Sequence, residues 1–241
     1  MNEVDRIYNS IVGDLETAAR ESRYRADADE PDPRYKSYGV RADGRKQVIR
    51  THRKAIRGLQ QNGQLKLARM LVESEFGEQQ SIALFILEPH AGYFSPDKFG
   101  QIDEYVRLLH GWSKIDSYTG SLLRDVLFEH PDEFITLVRQ WNQDEDMWLR
   151  RASVVLFTRK VAASGQFIDA ALEFCENLLY DPELLVQKGV GWSLKDLMRS
   201  DKERIIDYVI GLRARGVSSV ITLYAIKDIK GSERADILNR V

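Results

Sequence analysis

The chain has 241 residues, 43% of them hydrophobic, enough to bury a sizeable core in one large domain or in an array of small units. Apolar residues are too frequent for a disordered chain, and a formal net charge of −2 does not by itself point to nucleic acid as partner. The single cysteine, Cys175, excludes an internal disulfide and a cysteine metal cluster. In the apolar helical stretch Ala170–Cys175 it reads as a small buried hydrophobe rather than a catalytic thiol.

Strand-like alternation is scarce, and apolar spacing near 3.6 residues runs through nearly the whole sequence. The spacing predicts helices at 2–21, 43–60, 63–75, 78–89, 96–109, 113–128, 131–141, 145–162, 166–180, 183–199, 202–214, 218–228 and 231–240. The opening residues Met1 to Arg6 hold no apolar signal core, and no apolar run is long enough to span a bilayer. A soluble, cytoplasmic protein with no membrane partner is therefore expected. Between the first two helices, 22–41 is expected to be an irregular linker. Its stretch Ala26 to Pro33 is acidic and broken by proline. A calcium loop fits at Asp27 and Asp29 but fails at Asp32, where glycine is needed, and at Tyr38, where a bidentate glutamate is needed.

The later connections are short and carry breakers: Asn62-Gly63, Ser95-Pro96, His130-Pro131, Ser164-Gly165, Asp181-Pro182 and Arg215-Gly216. Short links make neighbouring helices antiparallel. Helix pairs recur about every 35 to 40 residues, the rhythm of HEAT or armadillo units, although no strong self-similarity is visible. The expected fold is one all-α domain over 1–241, a HEAT-like helical repeat solenoid with a concave binding surface.

Four segments place large or charged residues off the apolar stripe. The run Arg41 to Arg57 holds seven bases and one acid, a charge of +6 that leaves −8 for the rest of the chain. Within it Lys46, Arg50, Arg53 and Arg57 form one basic face opposite Val48, Ile49, Ile56 and Leu59. Such a face is usually just solvated, but charge segregated in this way can bind phosphate on an acidic protein.

In the second segment, Ile115, Tyr118, Leu122 and Val126 make a core stripe, while Trp112 and Asp116, four apart, share an offset face. By itself that pattern reads as a helix start with a partly packed tryptophan. In the third, Met147, Val154 and Val155 read as buried. Arg150 and Arg151 point about 100° apart, so one suits a surface and the other an anion. In the fourth, Lys188, Trp192 and Lys195 share a face, a candidate aromatic platform between two cations. Gly189 and Gly191 nearby each cost about 1 kcal/mol against alanine inside a helix, which suggests close approach of a neighbouring helix or a ligand. His52, His90, His110 and His130 form no metal spacing or nucleophile pair and read as structural or surface residues, and there is no glycine-rich phosphate loop.

These segments occur together in one family. Tyr35–Arg41, Glu78–Leu84, Trp112–Asp116, Trp141 with Met147–Arg151, and Gln187–Leu194 give the chain, from about residue 35 onward, a sequence that resembles the AlkD-type DNA alkylation-repair glycosylases. The resemblance implies a HEAT-like helical solenoid and a DNA glycosylase working on double-stranded DNA that carries alkylated bases. It places the active-site aspartate on Asp116, the two cleft tryptophans on Trp112 and Trp192, and the phosphate-contacting arginine on Arg151. Trp148 and Arg150 match too, with structural roles expected. Lys188, Lys195 and the basic face of Lys46, Arg50, Arg53 and Arg57 are the further expected DNA contacts. The family often carries a second tryptophan and an acid directly after the first cleft tryptophan; here Ser113 and Lys114 stand instead.

The chemistry suits these residue types. A purine alkylated at ring nitrogen 3 or 7 is already cationic and leaves as a neutral base, so no general acid, cofactor or metal is expected. A carboxylate can stabilise the developing oxocarbenium and position water. Tryptophan faces attract a cationic base. Guanidinium and ammonium groups hold phosphates. The resemblance implies a shallow cleft with less need for base extrusion than most glycosylases have. The alternative is a non-catalytic HEAT-like module that binds DNA structures or a protein partner, with a pure protein scaffold as a third reading. Nothing in the sequence signals an oligomer, so a monomer is expected.

Overall fold

A computed structural model describes residues 1–22 and 32–240. Asp27 and Asp29, which carried the calcium reading, lie outside the described residues, as does the rest of the acidic stretch up to Pro31. The described residues form helices and turns with no sheet; one isolated bridge joins Lys36 to Phe76. No described helix is long and apolar enough to cross a membrane. The chain divides into two compact units, Met1–Tyr118 and Thr119–Val241.

The first unit holds α1 (Glu3–Glu21), α2 (Ala42–Gly58), α3 (Gln61–Glu73), α4 (Gly77–Leu87), α5 (Phe99–Leu108) and α6 (Trp112–Tyr118). Asn2 opens α1, its side-chain oxygen accepting the Asp5 N–H at 2.9 Å. Ile7, Ile11 and Leu15, at helical spacing, bury the face of α1 that meets α2 and α3. α3 in turn packs on α4 and α5. The helix expected over 78–89 stops at Leu87 because Pro89 cannot continue the α-helical ladder, and a 3-10 stretch, Glu88–Tyr93, follows. Likewise Pro96 starts a single 3-10 turn, Pro96–Lys98, before α5 begins.

Residues 32–41 contain no helix, yet they are firmly held. Glu78, in the first turn of α4, accepts from the Ser37 hydroxyl at 2.8 Å and from the backbone N–H groups of Val40 at 3.0 Å and Tyr38 at 3.1 Å. Gln79 donates to the Tyr38 hydroxyl at 2.8 Å, and the Tyr38 ring stacks on Phe76 at 4.3 Å. A buried carboxylate with three donors satisfies backbone groups that an irregular segment would otherwise leave unpaired. Asp32 is likewise occupied, accepting from the Arg34 guanidinium at 2.8 Å.

The second unit holds a π-turn (Thr119–Leu123), α7 (Arg124–Glu129), α8 (Pro131–Asn142), α9 (Met147–Val155), α10 (Arg159–Ser164), α11 (Ile168–Asn177), α12 (Leu184–Leu197), α13 (Lys202–Ala214), α14 (Ser219–Ala225) and α15 (Gly231–Asn239). α9 packs between α8 and α12, and α12 also packs on α14. Trp141 and Trp148 fill the core, Trp148 in the structural role expected of it. Asn142 ties three helices together: its amide donates to the Ser153 hydroxyl at 2.9 Å and to the Phe174 carbonyl at 3.1 Å. Met147, expected to be buried, is half-exposed; Trp148 and Leu149 enter the core instead.

Two expected helices differ in form. The stretch 113–128 is interrupted by the π-turn. The stretch 145–162 breaks after Val155. There Thr158 is extended, its hydroxyl turned back onto the Val155 carbonyl at 2.8 Å, and Arg159 has φ of +52°. The Arg159 N–H is taken by the Asp196 carboxylate of α12 at 2.8 Å. A partner from another helix thus supplies the bond that continuation of α9 would have made.

Two outcomes follow. Glu78→Gln puts an amide N–H₂ against donors and should cost about 3 kcal/mol of stability in urea denaturation, because bonds to a charged group are among the strong ones. Burial pushes the Cys175 thiol up to about 12, so at pH 8 a thiol reagent should label it only as fast as the protein opens, with rapid labelling in denaturant.

Candidate active site

In the first unit, α6 carries Trp112 and Asp116 one turn apart. The indole is 47% exposed, an unusual amount for tryptophan, while Asp116 is 6% exposed. The core stripe expected behind them is observed: Ile115 and Tyr118 are buried, and Tyr118 donates to the Gln80 carbonyl at 3.0 Å, fixing α6 to α4.

Lys114, one of the two departures from the family pattern, is 6% exposed and lines a pocket of about 410 Å³ together with Ser113, Tyr35, Ser37, Arg41 and Arg45. Gly77 makes room for it: a Cβ there would lie 2.9 Å from both Lys114 Cε and the Tyr35 hydroxyl. On α2, Lys46, Arg50, Arg53 and Arg57 are all exposed, opposite buried Val48, His52 and Ile56. Among the described residues none of these four cations pairs with a carboxylate.

In the second unit the two adjacent arginines part as their 100° offset requires. Arg150 is consumed structurally: its Nε donates to Asp181 at 2.6 Å and its guanidinium to the carbonyls of Asp144 at 2.9 Å and Glu145 at 2.7 Å. Arg151 is 5% exposed and donates to the Leu185 carbonyl in the first turn of α12.

The two glycines of α12 resolve to helix packing on two sides. A Cβ on Gly189 would stand 3.2 Å from the methyls of Val154 and Val155 on α9. A Cβ on Gly191 would stand 2.8 Å from Tyr224 Cβ and 2.9 Å from the Ile221 carbonyl oxygen on α14.

Lys188 is exposed. Trp192 is only half-buried, but its face is not open as expected: the Arg159 guanidinium carbon lies 4.9 Å from the ring centroid. The indole Nε1–H donates to Asp196 Oδ2 at 3.1 Å, the same oxygen that takes the Arg159 N–H. Lys195 is drawn away from a purely solvent-facing role. Its ammonium is 3.0 Å from Asp196 and 3.3 Å from Asp228. Burial alone would lower its pKa, but the two carboxylates outweigh burial and hold it above the ordinary lysine value, so it stays charged.

Sequence reasoning missed Asp196 and Arg159. The first carried a signal, since it stands four residues after Trp192 on the same helix face. The second carried none, because its position depends on a bond from another helix.

A family model for DNA alkylation repair enzymes matches residues 10–229. Two solved structures share the fold. One is a predicted DNA alkylation repair enzyme from Enterococcus faecalis, 14% identical, with a TM-score of 0.68 over 91% of this chain and 95% of that one. The other is the alkylpurine DNA glycosylase AlkC of Pseudomonas fluorescens, bound to DNA containing an abasic site analogue. It is 13% identical, with a TM-score of 0.56 over 99% of this chain but only 65% of that one. No curated protein matches the sequence. The chain belongs to the DNA alkylation repair enzyme family, and its fold is the all-helical one of these two structures.

The glycines of this helical site give a paired test. Gly191→Ala should destabilise the protein in urea denaturation, because overpacking against a backbone carbonyl costs about 1–3 kcal/mol and outweighs alanine's helix-propensity gain of about 1 kcal/mol. Gly211→Ala on α13, with nothing within 4 Å of the added Cβ, should stabilise it by up to about 1 kcal/mol.

Proposed function

We propose that this protein is an AlkD-type DNA glycosylase. In this reading it hydrolyses the glycosidic bond of cationic purines alkylated at ring nitrogen 3 or 7 in double-stranded DNA, acting as a cytoplasmic monomer associated with the nucleoid. The observation that carries the reading is the pairing on α6 of a half-exposed tryptophan, Trp112, with a carboxylate one turn later, Asp116. Family membership and the DNA-bound glycosylase AlkC among the similar structures support it.

In the proposed reaction the bond between sugar C1′ and the base nitrogen breaks, and the base departs with the bonding electrons as a neutral purine. Asp116 stabilises the oxocarbenium character that develops and orients the water whose oxygen joins C1′. That water's surplus proton passes to solvent. Trp112 and Trp192 attract the lesion's positive charge before it is discharged. Arg151, Lys188, Lys195 and the α2 face of Lys46, Arg50, Arg53 and Arg57 are assigned to backbone phosphates.

A second reading is a non-catalytic module that binds DNA structures or a protein partner. The Arg159 guanidinium over Trp192 favours it, because a cation already lies over one face of a ring assigned to the lesion.

The test is release of methylated bases from DNA treated with a methylating agent. Wild type should release them, and Asp116→Asn should bind the DNA with similar affinity but release at least 100-fold more slowly. Undiminished release by that variant removes Asp116 from the site. No release by folded wild type that still binds DNA selects the second reading.

A further inference from the structure

Asp196 is 1% exposed and gathers donors from three directions. Its Oδ2 accepts the Arg159 N–H and the Trp192 indole N–H; its Oδ1 faces the Lys195 ammonium at 3.0 Å and the Arg199 guanidinium at 3.5 Å. One carboxylate therefore fixes the backbone of Arg159 and the ring of Trp192 together. Arg159 adopts φ of +52°, a conformation that costs a non-glycine residue energy and persists only where surroundings impose it.

The side chain of Arg159 then lies across two supports. One is the Trp192 ring. The other is Gly120 in the π-turn, where a Cβ would stand 2.1 Å from an Arg159 guanidinium nitrogen. The residue remains exposed, so this guanidinium is held in place at the surface.

We infer that Asp196 is a positioning residue that presents Arg159, stacked on Trp192 and seated over Gly120, as a preassembled contact for a DNA backbone phosphate. The inference rests on the proposed DNA-binding function. The fork of a guanidinium matches phosphate oxygens in a way that an ammonium does not, and stacking on an aromatic ring reduces the side-chain freedom that binding would otherwise remove. Loss of the backbone anchor frees both groups at once.

The experiment measures the affinity of the full-length protein for duplex DNA carrying an abasic-site analogue, across a series of NaCl concentrations. Arg159→Gln keeps hydrogen-bonding capacity and removes the charge. Gly120→Ala leaves Arg159 and Asp196 in place but forces the guanidinium aside, which a flexible side chain tolerates. Each should lower the slope of log affinity against log salt by about one, the signature of one lost phosphate contact, with a melting temperature near that of wild type.

Asp196→Asn, made also with Trp112→Phe so that Trp192 supplies the accessible emission, should lower the slope in the same way. It should also raise quenching of tryptophan fluorescence by acrylamide. If wild type binds with a steep slope and all three variants share it, the Arg159 contact is overturned while the glycosylase reading stands. If Asp196→Asn alone keeps wild-type slope and quenching, its positioning role is overturned. If wild type shows no salt-dependent DNA binding, both readings fall, and the base-release assay of wild type gives the same answer independently.

Discussion

A carboxylate removed from water must be compensated or it costs several kcal/mol, and most of the second unit's distinctive geometry follows from how Asp196 meets that demand. It takes a backbone N–H that a helix would ordinarily use itself, and so divides the expected 145–162 helix into α9 and α10. It takes the indole N–H of the tryptophan one turn before it. It also draws in Lys195, which the Asp228 carboxylate helps to keep charged. The break, the left-handed arginine and the oriented tryptophan are three consequences of one buried group. Because the Arg159 N–H comes from α10 while Trp192 and Lys195 share α12 with Asp196, α10 cannot move away without leaving the charge short of a partner.

The first unit applies the same principle to a loop. Glu78, buried in the first turn of α4, collects the Ser37 hydroxyl and the backbone N–H groups of Tyr38 and Val40. That segment is irregular in conformation and fixed in position. The two sequence segments that carried the N-terminal part of the family resemblance, Tyr35–Arg41 and Glu78–Leu84, are therefore the two halves of one clasp. Their joint occurrence reflects a hydrogen-bonded pair in addition to any role at the site.

The all-helical fold was legible in the sequence because apolar residues repeat at the helical period in both units, and proline and glycine mark the ends. The glycines of α12 were legible as points of close approach, and the structure assigns each to a helix: Gly189 to α9, Gly191 to α14. Helical geometry made the different partners of Arg150 and Arg151 legible, but not their burial: the surface position expected of one is not seen, since Arg150 is spent on Asp181 and two carbonyls and Arg151 is buried against the Leu185 carbonyl. What was not legible depended on partners distant in sequence. The end of α9 is set by a carboxylate 37 residues further on, and the order in 37–40 by one about 40 residues further on. Periodicity reports the face of a helix, not what the opposite element offers. The same limit explains Trp192: its position on the face was readable, but the arginine covering it was not.

The exposed cations of α2 carry a further consequence. Their run holds +6 while the remainder of the chain holds −8, so positive charge is concentrated along this one helix to a degree that the net charge of −2 does not suggest. In the proposed reading, a DNA duplex meets a strong local attraction at α2 whatever the net charge of the whole chain.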